Sequence, residues 1–423
     1  MKRKFAILLS AMLLMQAVCG CGGAASSGTS SASASTDSTA SKSSEKAVIV
    51  TDEQAFTHEN GITRLAKEIY GDLNVEFFVL SEDTQERETQ ISSLRVEIMA
   101  GGGPDGYLLS SPTSNMTFNG EGHPAALFPD VQRTMQSGAF LPLDDYIKES
   151  EYLRSEDHFA PVFDTGKTDE GQVVLPITYY ASVFLLDKAQ LADPDFTPKT
   201  WDELVNCEDT AVLKVVRNNL YTWCGAGIPR IADYATEKTI LTEENLTAQF
   251  EDLLAMPASE SIDEETALIQ RGSYAQTDEG MAYYAQNKDT VNALAIPNTE
   301  GGVTAFITSY AAINRNSPKA DEVFRFFELL FSDEAQIDTE TVNDARGTLL
   351  MLGNLNSFLT HKNAYLQPEL LESVQSRVNA VRFYSVMDYT IYDTATTLTW
   401  EENPDCAAAA HSVMEALQTR LSE

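Results

Sequence analysis

From Ala47 onward the chain alternates between two hydrophobic periods. Ala47-Val48-Ile49-Val50 is a short apolar run that predicts a buried strand, and Ile62, Leu65, Ala66 and Ile69 then recur at helical spacing, with Gly71 as the stop. Val75, Phe77 and Val79 alternate as a strand does; Ile91, Leu94 and Ile98 return to helical spacing, ended by Gly101-Gly102-Gly103-Pro104; Tyr107-Leu108-Leu109 predicts a third strand. Strand–helix–strand–helix–strand in this short span predicts a parallel, doubly wound sheet with right-handed crossovers. Further on, Thr200-Trp201-Asp202-Glu203 fits a capping box, in which the threonine oxygen caps the third helical amide and the glutamate reaches back. Ser317-Pro318 is expected to open a helix carrying Val323, Phe324, Phe327, Leu330 and Phe331 on one face, with proline suited to the first helical position. A Thr-rich run, Thr394 to Thr399, reads as strand-like, and a last helix is expected from about Asp405 to Leu421. No internal repeat is visible.

The first 46 residues have a different character. Lys2, Arg3 and Lys4 precede an apolar run from Phe5 to Val18, too short to span a bilayer as a mature helix, which predicts a secretion signal. Gly20 before Cys21 resembles a lipobox, whose cysteine is diacylated and becomes the first residue of the mature chain; Cys19 suits this less well, because Val18 sits where the peptidase prefers a small side chain. The Ser-, Ala-, Thr- and Gly-rich segment that follows has nothing apolar enough for a core and behaves as a coil with a reach on the order of 25–30 Å. The expected organisation is a signal peptide over 1–20, a lipid anchor and linker over 21–46, and a globular part large enough for two lobes. A second run approaching 18 apolar residues does not occur.

The formal charge is −34, from 63 acidic and 29 basic residues, and becomes about −37 when the three basic residues of the signal leave. Such a surface repels nucleic acid and anionic lipid and favours a soluble monomer. Beyond the signal only Cys207, Cys224 and Cys406 remain, so a disulfide framework is excluded; three buried thiols are expected, with one bridge as the alternative.

Catalytic signatures fail on inspection. Gly166-Lys167-Thr168 resembles the end of a phosphate loop, but the required first glycine falls on Pro161; Gly225-Ala226-Gly227 runs into Ile228-Pro229, which breaks a dinucleotide fingerprint. His58, His123, His158, His361 and His411 are scattered without metal-ligand spacing, and neither G-x-S-x-G nor H-E-x-x-H is present. The expectation is a non-enzyme with no catalytic residues, no cofactor and no metal.

Five blocks, in order over residues 47–336, resemble extracellular solute-binding proteins of the family that includes the maltodextrin receptors of ABC importers. They are Ala100-Gly101-Gly102-Gly103-Pro104-Asp105; Gly138-Ala139-Phe140-Leu141-Pro142-Leu143-Asp144-Asp145-Tyr146; Gly171 to Pro176 with Phe184-Leu185-Leu186-Asp187-Lys188; Pro198-Lys199-Thr200-Trp201-Asp202-Glu203-Leu204; and Ala305 through Asn316 into Ser332-Asp333-Glu334-Ala335-Gln336. There are two departures. Gly106 stands where a branched apolar residue is usual, and Gly272-Ser273-Tyr274-Ala275-Gln276 with Asp278-Glu279-Gly280-Met281 stands where the family often shows an Ala-Ala-Met motif.

The resemblance implies two α/β lobes of the type II periplasmic-binding-protein kind, joined by crossing hinge strands, with lobe 1 formed by 47–176 and 305–336 and lobe 2 by 177–304 and 337–423. It implies a substrate-binding lipoprotein on the outer face of the cell membrane that closes on a carbohydrate, an oligosaccharide by preference, and delivers it to separate ABC permease subunits. A polyamine or peptide ligand, or a sensing role beside a membrane signalling partner, is the alternative. By position in the blocks, the expected ligand contacts are Tyr107, Ser110, Ser111, Tyr179, Tyr180, Ser309 and Tyr310, with Trp223 and Trp400 as aromatic platforms. Trp201 is assigned to packing, and Asp105 to either the cleft or the loop after Pro104.

Overall fold

A computed structural model describes residues 46–57, 61–71, 73–112, 125–219, 225–258, 269–274, 278–337, 343–353, 357–364 and 368–422. The expected signal segment, the expected lipidation site Cys21, Trp223 and Cys224 lie outside the described residues. The chain begins as its periodicity predicts: β1 (Ala47–Thr51), α1 (Gly61–Tyr70), β2 (Val75–Val79), α2 (Thr84–Met99) and β3 (Gly106–Ser110). β1 pairs in parallel with both β2 and β3, with Ile49 opposite Phe77 on one side and Gly106 on the other. Asp83 caps α2 by accepting from the Glu86 amide at 2.9 Å. Gly101 and Gly103 end it at φ +80° and +91°, a region that side chains with a Cβ rarely enter.

A short helix, α3 (Val131–Gln136), follows, and β4 (Leu175–Ala181) then leads out of this sheet. After Ser182 the chain enters a second sheet as β5 (Val183–Asp187), and the helices α4 (Thr210–Asn218) and α5 (Glu243–Ala255) pack beside it. β6 (Ile269–Tyr274) and β7 (Val291–Ala295) flank β5, both antiparallel to it. The return strand β8 (Val303–Ile313) is buried along its whole length. It pairs antiparallel with β3 and β4 and parallel with β10 (Val378–Phe383). With β9 (Phe358–Leu359) at the outer edge beside β4, the large sheet has seven strands among the described residues.

Two apolar cores result. Ile49, Leu108, Phe140, Ile177, Ile313 and Phe327 belong to the first; Phe184, Trp201, Val215, Phe250, Ile296 and Leu417 belong to the second. The two-residue alternation of β5 divides it between them, with Val183 and Leu185 in the first core and Phe184 and Leu186 in the second. The 337–423 tail, expected in lobe 2, is shared in the same way. Leu349 of α7 (Asn343–Gly353), Phe358, Leu371 and Phe383 pack in the first core, and only from Met387 onward, in α8 (Val386–Trp400) and α9 (Cys406–Ser422), does the tail pack in the second.

Local readings hold with three adjustments. Thr200 accepts from the Glu203 amide, but the Glu203 carboxylate reaches the Lys199 amide, one residue before the cap. The Phe-rich helix, α6 (Ala320–Phe327), starts after Lys319 rather than at Pro318, because the Ser317 hydroxyl is engaged by the Asp105 carboxylate at 2.7 Å and the Lys319 amide at 3.0 Å. The Thr394–Thr399 run is helical, not a strand: it lies in α8, where Thr390, Thr394 and Thr396 donate back to carbonyls one turn earlier. Among the described residues no helix is long and apolar enough to cross a membrane.

Gly106 has a packing reason. A Cβ there would lie 2.6 Å from Val323 Cγ1 and 3.2 Å from Phe327 Cζ, so the missing side chain is what lets α6 seat on β3. Gly106→Val is expected to lose about 1–3 kcal/mol by overpacking, read as a lower urea midpoint with an unchanged slope.

Candidate ligand site between the lobes

Several of the expected ligand contacts are consumed by the fold. Tyr107 is buried, its ring packed edge-on against Phe128 at 4.9 Å and tilted against Phe140 at 5.8 Å, and its hydroxyl has no hydrogen-bond partner among the described residues. Burial, with a contribution from Asp105, raises its pKa. Tyr107→Phe removes that unpaired hydroxyl and is expected to leave stability within about 1 kcal/mol of the parent, or to raise it, in a thermal melt. Tyr179 packs between Phe159 and Phe358, and its hydroxyl accepts from Gln375 at 2.8 Å. Ser309 shares a hydrogen bond with Thr178 at 2.6 Å; Thr178 in turn joins Thr308, and Thr308 joins Ser357, a buried hydroxyl chain that ties β4, β8 and the residue before β9 together. Tyr180 clusters with Phe306 and Tyr384, and its hydroxyl accepts from Ser182. Trp400, at the end of α8, is 84% exposed. Asp105 fixes its loop by accepting from the Val48 amide at 2.9 Å.

Ser110, Ser111 and Tyr310 are brought together. They line a cavity of about 20 Å³ at the carboxyl ends of β1 and β3, with Asp52 and Arg87 on its wall. That volume holds one water. Asp52 is ion-paired with Arg87 and also accepts from the Ser110 amide, while Arg87 reaches the Ala125 carbonyl at 2.7 Å. Ser110 and Ser111 donate their hydroxyls to the carbonyls of Leu352 and Ile307.

The segment that follows Ala125 leads to the place where the two cores meet. Here a cavity of about 300 Å³ is lined by Gln132 of α3, by Pro229, Arg230, Ile231, Ala232 and Tyr234 from the second lobe, and by Asn379 to Arg382 of β10. This size is within the range of small-molecule sites. A hollow of about 390 Å³ elsewhere, between Glu237–Thr239 and the end of α9, is walled by the second lobe alone.

Arg382 organises the junction. It ion-pairs with Asp388 of α8, both side chains being less than a tenth exposed, and it donates to the carbonyls of Gly225 and Ile228 at 3.3 Å. Its guanidinium lies 4.6 Å over the Phe306 ring, which stacks at 4.3 Å on Tyr384. Asp388 is held in turn by a true capping box, its carboxylate accepting from the Ser385 amide at 3.0 Å and hydroxyl at 3.1 Å. Thus one guanidinium joins a strand of the large sheet to a helix and a loop of the second lobe.

Sequence reasoning missed this group. Two signals were present: an arginine inside the alternating strand Val378–Phe383, and the Ser385-x-x-Asp388 capping pattern directly after it. Cys207 and Cys406 are free thiols, and burial raises the pKa of both.

Two α/β lobes, chain crossings between them and a polar cavity at their meeting place define a type II periplasmic-binding-protein architecture. The comparisons agree. The family model for bacterial extracellular solute-binding proteins matches residues 57–337, well over half of the chain, and the protein belongs to that family. It is an extracytoplasmic binder of small solutes from a family that works with ABC transporters. Among solved structures it is similar to the sugar-binding protein MalE of Xanthomonas citri, with 10% identity over 89% of this chain and 97% of that one and a TM-score of 0.52. It is also similar to a family 1 extracellular solute-binding protein of Alicyclobacillus acidocaldarius, with 11% identity over 89% and 98% and a TM-score of 0.51. No curated protein matches the sequence.

Proposed function

We propose that the protein captures a carbohydrate, an oligosaccharide by preference, between its lobes and delivers it to an ABC permease, tethered to the outer face of the membrane through diacylated Cys21. The observation that carries this reading is the cavity lined by Gln132, Arg230, Tyr234, Asn379 and Arg382. A saccharide hydroxyl buried without a partner costs about 1–3 kcal/mol, so a receptor needs a dense set of amide, hydroxyl and guanidinium groups at its surface. The cavity offers that set from both lobes. It also weighs against a polyamine. Its charged lining consists of Arg230 and Arg382, with no carboxylate, in a chain whose acidic residues outnumber the basic ones by 63 to 29. A ligand that touches both lobes stabilises the closed arrangement by its differential contacts there, and the closed form is what a permease would recognise. No catalytic step is assigned; the role is binding.

A thermal-shift screen of the lipid-free chain from Ala47 against oligosaccharides, monosaccharides, polyamines, amino acids and short peptides tests this. A saccharide at one hundred times its dissociation constant should add about 2.7 kcal/mol and raise the melting temperature by several degrees. Shifts confined to amines or peptides would overturn the carbohydrate assignment.

A further inference from the structure

We infer that Asp130 couples proton uptake to the closing of the two lobes, so that the closed arrangement is held more tightly in mildly acidic than in neutral surroundings. Asp130 belongs to the first lobe. It caps α3, accepting from the Arg133 amide at 3.1 Å, and Val131 and Met135 of that helix lie in the first core. What covers it comes from the second lobe. Asp388 acts on it from the start of α8, the Tyr234 hydroxyl favours its ionised form, and Met387 and Arg420 form the far wall of a cavity of about 120 Å³ beside it.

Two of the neighbouring cations are engaged elsewhere, although the charge of Arg133 still favours the ionised carboxylate. Arg133 donates to the carbonyl of Arg420, and Arg382 is paired with Asp388. The second oxygen of Asp130 is buried without a hydrogen-bond partner. Lobe contact at this point, including the bond from the Val386 amide to the Pro129 carbonyl at 3.1 Å, therefore dehydrates a carboxylate and sets it near a second one. An ionised Asp130 opposes closure, whereas a protonated one does not.

Burial, reinforced by Asp388, pushes the Asp130 carboxyl up to about 6 from the ordinary 3.8. The sign follows by linkage. Between those two values the closed form holds a proton that the open form has released, so the closed-to-open ratio falls as pH rises through this window and is flat above it. From pH 5 to pH 7.5 the ratio should fall about tenfold.

The test is small-angle scattering of the ligand-free protein at pH 5 and pH 7.5, with circular dichroism to confirm that each variant is folded. The parent is expected to be more compact at pH 5. Asp130→Asn, which keeps the cap, should lose that pH dependence. Tyr234→Phe, which removes a hydroxyl that favours the ionised carboxylate, should move the midpoint to higher pH. A parent radius that does not change with pH, or a change retained in Asp130→Asn, would overturn the inference. The consequence for ligand, about tenfold tighter binding at pH 5, rests on the capture reading proposed above. If no saccharide binds at all, that reading fails, while the scattering still decides the role of Asp130.

Discussion

Arg382→Ala is expected to lower stability by about 3–5 kcal/mol, the largest single-residue loss we anticipate. Asp388 is then left buried without its cation, held only by the Ser385 amide and hydroxyl. The carbonyls of Gly225 and Ile228 lose a donor in the same step, and the face of Phe306 loses the guanidinium above it. The pairing is not assumed to make the wild type more stable than an apolar substitute would, since desolvating two charges costs about what their attraction returns. The double replacement Arg382→Met with Asp388→Leu is accordingly expected to recover part of the loss in urea denaturation. If Arg382→Ala costs less than about 1 kcal/mol, the junction is more hydrated than its burial implies. Binding should suffer beyond stability, because Arg382 also lines the cavity.

Acid should destabilise the first lobe through His158. This imidazole is fully buried, stacked on Phe163 at 5.4 Å and edge-on to Phe331 and His361, with its Nε2 unpartnered. Burial first, and the neighbouring His361 second, pull its pKa down from 6.5 to about 3. A histidine depressed in the folded state stays neutral there while the unfolded chain takes up a proton. Its stability contribution is therefore complete above pH 6.5 and is lost as pH falls toward 3, by about 1.4 kcal/mol per pH unit. His361, also lowered by burial, acts in the same direction, although Asp333 at 3.4 Å opposes it. Asp130 works the other way below pH 6, so the clean readout is a comparison of chains. Urea unfolding between pH 6.5 and 5 should show a steeper loss for the parent than for His158→Leu. Parallel curves would mean that His158 is protonated in the folded protein.

The first sixty-odd residues of the globular part were legible because each element repeats its own period. Ile49 and Val50 in β1, Ile62 and Ala66 in α1, and Ile91 and Leu94 in α2 are all buried. The Thr-rich run misled because β-branched residues favour strands, whereas here the Ser385–Asp388 cap and back-bonded threonine hydroxyls hold a helix. Tyr179 and Ser309 illustrate a different limit. Their positions on crossing strands were apparent, but what faces Tyr179 is set by β9 and Gln375, far away in the chain, and Ser309 is taken by Thr178 of the neighbouring strand. The junction was the least legible part. Asp130, Tyr234 and the Arg382–Asp388 pair come from three separated segments, and no local spacing relates one segment to another. Gly106 was noticed as a departure, and only the approach of Val323 explains it.

A crystal structure grown with the saccharide that gives the largest melting shift would decide whether the junction holds ligand. Sugar density is expected at the junction of the lobes, with hydroxyls bonded to groups among Gln132, Arg230, Tyr234 and Asn379 and beside the Arg382–Asp388 pair. Sugar bound on the outer face of one lobe, with the junction cavity unfilled, would contradict it.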